Sequence, residues 1–221
     1  MRQNNESLSN ICKTLALNKT TVYYHIRKNF GRSYSLVDVD YSNLDKIGEI
    51  IGVFAGDGSA VRKFNHVWFH FGYDEKEYAE SFSEVLYSVF NKKPYMYPYK
   101  RTINLRYNSK RVYNFILEYL EWFGNRTASI RLVNLTLPSE FIIGFLRGFW
   151  DAEGYTDRDR IRTTVTTISP ELAVQVNSML IGLGFKSHCK EYYRKNRAPH
   201  TRIYLKNNEA LRFLSVVCPR N

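Results

Sequence analysis

Two stretches of the 221-residue chain set an acid behind a run of regularly spaced small residues. The first, "IGEIIGVFAGDG", has Gly48, Gly52 and Gly56 ahead of Asp57 and Gly58. The second, "IGFLRGFWDAEG", has Gly144, Gly148 and Ala152 ahead of Glu153 and Gly154, with Asp151 one residue earlier. On a helix, positions i, i+4 and i+8 form one ridge down one face. Glycine inside a helix costs about 1 kcal/mol against alanine, so a ridge of it needs a cause. Close approach of another backbone is the natural one. If the two ridges face each other, Asp57 and Glu153 emerge side by side at one end. Paired carboxylates repel unless a cation lies between them. A hard divalent ion with oxygen ligands and water fits, and magnesium is the first choice. Two carboxylates holding metal over a phosphodiester is a layout for in-line hydrolysis. Either stretch alone reads better as a helix-ending turn, where Asp and Gly are common. The matched pair points to chemistry. Ile50, Phe54, Phe145 and Phe149 on the same helices read as packing residues.

The elements around these acids recur. After an apolar helix over 43–56 come strands over 59–65 and 67–73, and an amphipathic helix over 74–91. Strands over 94–100 and 102–108 and a helix over 109–124 complete the unit. From residue 139 the order returns: helix, strands at 154–157 and 160–168, a helix with Ser169 as N-cap and Pro170 at its first position, strands at 186–194 and 201–207, and a last helix over 208–217. The pattern predicts an α+β fold of two pseudo-symmetric αββαββα repeats, 43–124 and 139–221, joined through 125–138. Two copies suit a pseudo-symmetric pair rather than a solenoid, which needs more. Ahead of them, residues 1–32 read as a helix-turn-helix-like segment with Asn18 as N-cap of its second helix, and 33–42 as a linker. Lys19, Thr20, Thr21 and Tyr24 fall at the end of that helix that usually enters a DNA groove. A plain helical hairpin fits the same residues.

The formal net charge is +11, which points first to a polyanion, and nucleic acid is the commonest. The three cysteines, Cys12, Cys189 and Cys218, are widely spaced and encode neither a disulfide framework nor a zinc site; this suits an intracellular, reducing compartment. The opening residues lack the apolar core of a signal peptide. "FIIGFLRGFW" is too short to span a bilayer and carries Arg147, so no membrane partner is expected. His66 and His70 lie four apart but in a strand-like run, which disfavours a metal pair.

Strand alternation assigns the faces. Thr102, Asn104, Arg106 and Asn108 alternate with Ile103, Leu105 and Tyr107. Arg162, Thr164 and Thr166 share one face, as do Lys186, His188, Lys190, Tyr192 and Arg194, and Arg202, Tyr204 and Lys206. With Arg62, Lys63, His70, Lys100 and Arg160, these form a polar, basic surface suited to a major groove. A solvated sheet face is the ordinary alternative.

Residues 50–58, "IIGVFAGDG", and 146–154, "LRGFWDAEG", resemble the two motifs of the LAGLIDADG homing endonucleases. The resemblance covers about residues 43–217, with the two motif acids 96 residues apart. It implies saddle-shaped antiparallel sheets on double-stranded DNA, a monomer cutting a long asymmetric site, and Mg²⁺ as cofactor with Mn²⁺ as a substitute. It implies Asp57 and Glu153 as catalytic, metal-binding carboxylates, with Gly56 and Ala152 beside them in the metal site. Archaeal intron and intein members are the most similar in wording, which implies an intron-encoded or intein origin. The sequence departs from the family at Ala55, where many members have Asp, and in lacking a clear Lys or Gln to polarise the attacking water. Lys76 and Arg126 are the candidates for that role. A non-catalytic DNA-binding regulator and an RNA-splicing maturase are the alternatives on the same fold.

Overall fold

A computed structural model describes residues 8–30, 37–193 and 198–220. The chain divides into two compact units, Met1–Val37 and Asp38–Asn221. In the first, α1 (Leu8–Leu15) packs on α2 (Lys19–Phe30), with Ile11 and Val22 buried. Asn18 caps α2 as its sequence position predicts: its Oδ1 accepts from the Thr21 backbone N–H at 2.8 Å and the Thr21 hydroxyl at 2.7 Å. Gly31, a glycine whose place in the sequence suits the end of α2, lies outside the described residues, as do residues 1–7 and 32–36.

The second unit holds the repeat. Its first copy runs α3 (Leu44–Asp57), β1 (Gly58–Val61), β2 (His66–Gly72), α4 (Lys76–Phe90), β3 (Tyr95–Tyr99), β4 (Thr102–Asn108) and α5 (Lys110–Tyr119). A connection follows through β5 (Leu120–Glu121), α6 (Arg126–Ser129) and β6 (Arg131–Leu132). The second copy runs α7 (Ser139–Glu153), β7 (Gly154–Asp157), β8 (Arg162–Thr167), α8 (Pro170–Gly182), β9 (His188–Tyr192), β10 (His200–Lys206) and α9 (Asn207–Val217). Each copy builds one antiparallel sheet, in the orders β1-β2-β4-β3 and β7-β8-β10-β9. The helices begin where the caps dictate. Asn43 accepts from Lys46 N–H, Ser109 from Val112 N–H, and Ser169 from Leu172 N–H.

One face of each sheet is core. Phe69, Leu105 and Tyr107 are buried in the first, Val165, Ile203 and Leu205 in the second. They pack with apolar faces of the helices, such as Phe82 and Leu86 of α4 and Leu172 and Val176 of α8.

Several boundaries differ from the sequence expectation. The strand expected over 59–65 ends at Val61, because Arg62–Phe64 forms a 3-10 turn closed by Asn65 at φ +51°. The helix expected to reach 124 stops at Tyr119, because Leu120 and Glu121 extend to pair with Leu132 and Arg131. Asp57 is the last residue of its helix rather than the first beyond it, and Glu153 stands at the end of its helix as expected. The strand expected from 186 begins at His188, and its residues up to Glu191 are all exposed because β9 is an edge strand. The chain from Asp38 lies against the first repeat: Val39 is buried and Asp40 N–H donates to Val89 O at 2.8 Å.

Candidate active site and nucleic-acid face

Helices α3 and α7 run parallel, backbone against backbone. A methyl carbon built on Gly48 would overlap the carbonyl of Phe141, and one on Gly52 the carbonyl of Phe145. The relation is reciprocal: Gly144 meets the carbonyl of Asp45, and Gly148 that of Glu49. At the end of this seam Gly56 faces Ala152 and Glu153, where an added carbon would lie 2.5 Å from Ala152 Cβ and 3.0 Å from Glu153 Cγ. The seam therefore sets Asp57 and Glu153 side by side.

Gly58 and Gly154 have ordinary extended angles, with φ of −87° and −86°. Their need is for space. A side chain on Gly58 would strike the Phe54 ring, and one on Gly154 would approach Trp150. Each N–H turns back to cap its helix, Gly58 to Phe54 O and Gly154 to Trp150 O. The chain thus passes from acid to first strand with no intervening loop, and each carboxylate is held at the rim of its sheet.

Asp57 is half-buried, and Glu153 beside it is the more exposed of the two. Burial pushes Asp57 up to about 7, and the negative charges of Glu153 and Glu75 push the same way; Arg126 opposes them. Burial raises Glu153 as well, again against Arg126. The Arg126 guanidinium donates to Phe54 O at 3.0 Å and Gly56 O at 3.2 Å, and stacks 5.3 Å from the Phe54 ring centre. Of the two candidates for water activation, Arg126 is at the carboxylates. Lys76 pairs instead with Glu80 at 3.7 Å on the surface.

A hard divalent cation fits this pair. The donors are oxygen, they sit together, and their mutual repulsion is what an added positive charge would relieve. No group of three or more His, Cys, Asp or Glu converges among the described residues, and the two carboxylates are the side chains that could hold such an ion. Gly56 O is engaged by Arg126, and Ala152 lies in the helix contact. His66 and His70 form no metal pair: His66 meets the edge of Trp68, and His70 is bonded to Ser59 and Asn104.

The face of each sheet opposite the core carries the polar candidates. Strand register gathers His70, Asn104 and Arg106 on the first sheet, and Arg162, Thr164, Thr166, Lys190, Arg202 and Tyr204 with His188 on the second. Arg62, Lys63, Lys100 and Arg160 are exposed at hairpin turns rather than on strands. Lys186 is exposed ahead of β9. Arg194 lies outside the described residues. Asn104 is only 3% exposed and Thr164 only 6%. Asn104 Oδ1 lies 2.6 Å from His70 Nδ1, whose ring reaches Ser59 through Nε2 at 2.8 Å. Asn104 therefore orients His70 rather than presenting itself to a ligand.

Sequence reasoning missed two groups. Glu75 acts on Asp57 although eighteen residues separate them; its carboxylate accepts from Gly72 N–H at 2.5 Å, and nothing in "FGYDEK" signals the proximity. The second is a buried ionic network behind the seam. Arg220 Nη1 bridges Glu49 at 2.6 Å and Asp151 at 2.9 Å, and Arg147 bridges Asp45 at 2.8 Å and Glu49 at 3.3 Å. Asp151, the acid nearest Glu153 in sequence, thus belongs to the scaffold. A charged residue inside the apolar run of α3, Glu49, was the available signal.

Residues 140–218 match the family model of the LAGLIDADG-like domain. The fold of mesophilic variants of the homing endonuclease I-DmoI superposes with a TM-score of 0.62 at 17% identity, covering 80% of this chain and 97% of that one. I-DmoI in complex with DNA and Ca gives 0.60 at 18% identity over 80% and 91%. The N-terminal LAGLIDADG domain of WhiA gives 0.55 at 17% identity over 82% and 87%. Among curated sequences, a replication factor C small subunit of Methanocaldococcus jannaschii is 27% identical over 176 residues, 78% of this chain. The chain spans about 9% of that relative's length.

Proposed function

We propose that this protein, a single chain of two LAGLIDADG-fold repeats, is a site-specific endonuclease that hydrolyses double-stranded DNA with a divalent metal ion. The observation that carries the reading is the junction of Asp57 and Glu153 at one end of the glycine seam. It rests on a body with basic sheet faces on both repeats and a net charge of +11.

In this reading Asp57 and Glu153 hold Mg²⁺, with Mn²⁺ as a substitute. The ion supplies charge for the phosphate oxygens and a site at which water is activated. Arg126 adds a fixed positive charge near the oxygens on which negative charge builds as the ester bond breaks. The water oxygen bonds to phosphorus, one P–O ester bond breaks, and the departing alkoxide takes up a proton. Because the two sheet faces differ at nearly every register position, the target is asymmetric and one chain suffices.

A plasmid library of random inserts, incubated with Mg²⁺ or with EDTA, tests the proposal. Cutting at one recurrent site, lost in EDTA and in Asp57→Asn and Glu153→Gln, is the expected result. Specific DNA binding without metal-dependent cutting would instead assign a regulator. Tight intron RNA binding without a DNA site would assign a maturase.

A further inference from the structure

Among the described residues, very few buried side-chain polar atoms lack a hydrogen-bond partner; Arg106 Nε and Arg162 Nε are two of them. A buried donor left unpaired is costly and calls for an explanation. Both arginines lie on the polar face of a sheet, one in each repeat.

Both are braced by tyrosine. The Arg106 guanidinium sits 5.5 Å from the Tyr95 ring centre and 5.4 Å from that of Tyr97, and those rings stack 5.3 Å apart. The Arg162 guanidinium sits 5.8 Å from Tyr204, whose ring also stacks with His188 at 5.2 Å and meets Lys206 Nζ at 5.0 Å. A cation held beside aromatic rings in this way loses orientational freedom. The two terminal amino groups are left for a ligand. Such an end-on fork matches a planar pair of acceptors, which guanine offers in the major groove through O6 and N7.

The placement breaks the internal symmetry. Aligning the sheets through Gly58–Phe69 and Gly154–Val165 sets Arg106 of β4 opposite Tyr204 of β10, and Arg162 of β8 opposite His66 of β2. Each sheet has a braced arginine, but on a different strand.

We propose that Arg106 and Arg162 are the specificity-determining guanine readers, one for each half of the target, at positions not related by the two-fold axis. This rests on the DNA-binding reading above. A phosphate offers the same paired oxygens, and the test separates the two sources. The full chain, held in Ca²⁺, selects duplexes from a randomised pool, and the enriched set is sequenced for wild type, Arg106→Lys and Arg162→Lys. The lysine keeps the charge and loses the fork. Each variant is expected to relax the preference for guanine at one position of one half-site, by roughly 10- to 100-fold, and to leave the other half unchanged. Tyr95→Leu/Tyr97→Leu, with Arg106 present but unbraced, is expected to relax the same position as Arg106→Lys. A uniform loss of affinity for every sequence would make these phosphate contacts and overturn the proposal. So would a lowered melting temperature with an unchanged sequence profile, the mark of a packing role. No enriched duplex from the wild type would overturn the DNA-binding reading itself, and this inference with it.

Discussion

The α-carbon of Gly52 rests against the carbonyl of Phe145, with no room between them for a methyl group. An alanine there gains up to about 1 kcal/mol of helix propensity but must push the paired backbones apart, and overpacking of this kind costs about 1–3 kcal/mol or more. Sterics win because the obstacle is main chain. Gly52→Ala is expected to lower stability in a denaturant titration, and to weaken divalent binding because Asp57 and Glu153 separate. Gly182→Ala, in open space at the end of α8, is expected to be neutral or slightly stabilising. Equal stability in the two variants would show that the seam does not set the helix spacing.

Much of this was legible in the sequence, for identifiable reasons. The glycine ridges have the helical period, and no local rule explains them, so they pointed outward to a partner helix. Ser169 and Asn18 announced their helices by cap chemistry. What stayed hidden depends on distance in space. Glu75 reaches Asp57 only because the sheet returns the chain, and Arg220 reaches Glu49 from the far end of the sequence. Asn104 has the right residue type and strand parity for base reading, yet β-pairing buries it against His70, which parity alone cannot show.

The carboxylate pair gives the metal-free protein a pH signature. A carboxyl whose pKa is raised by folding favours the folded state where it is protonated. That contribution is complete below its unfolded value near 3.8 and is lost as pH rises through the folded value. For Asp57 the folded value is about 7, and Glu153 is displaced in the same direction. In EDTA, the melting temperature is expected to fall between about pH 4 and pH 7 more steeply for wild type than for Asp57→Asn. Added Ca²⁺ is expected to restore the loss above pH 7. Parallel curves for the two proteins would mean that Asp57 is not raised by its surroundings.

Arg126 holds both acids toward their charged forms. Arg126→Gln is expected to move the pH midpoint for Mn²⁺ binding upward, because the carboxylates then deprotonate later. Cleavage is expected to fall by roughly 10²-fold, as for loss of one fixed charge at a transition state, with DNA binding largely retained. Arg126→Lys keeps the charge but not the pair of bonds to Phe54 and Gly56 carbonyls, and is expected to keep the midpoint better than the rate. Isothermal titration across pH reads the midpoint independently of cutting. An unmoved midpoint would remove Arg126 from the electrostatics of the site.

The ionic network behind the seam is expected to be unforgiving of single losses. Glu49 is nearly fully buried and bonded to both Arg147 and Arg220. Removing one partner of a buried pair strands the other, at about 3–5 kcal/mol. Glu49→Ala is expected to cost that much in a urea titration. Arg220→Ala is expected to cost at least as much, because it leaves the fully buried Asp151 carboxylate without its guanidinium and Glu49 with Arg147. A Glu49→Ala protein of native stability would show that seam packing alone holds the helices.

The two sheets should differ in how they respond to salt. The register position held by Asn104 in the first repeat is held by Arg202 in the second, and that of Asn108 by Lys206. The second face therefore carries more of the charge available to phosphates. Neutralising one phosphate contact lowers the slope of log affinity against log salt by about 1. Arg202→Ala and Lys206→Ala are expected each to reduce the slope by about that amount, at constant sequence preference. Asn104→Ala removes no charge, so the slope should hold while His70 loses its orientation and selectivity in the first half-site drops. Fluorescence anisotropy at several salt concentrations, on matched and single-mismatch duplexes, separates the two effects. Equal slopes for all three variants would place the phosphate contacts elsewhere on the basic surface.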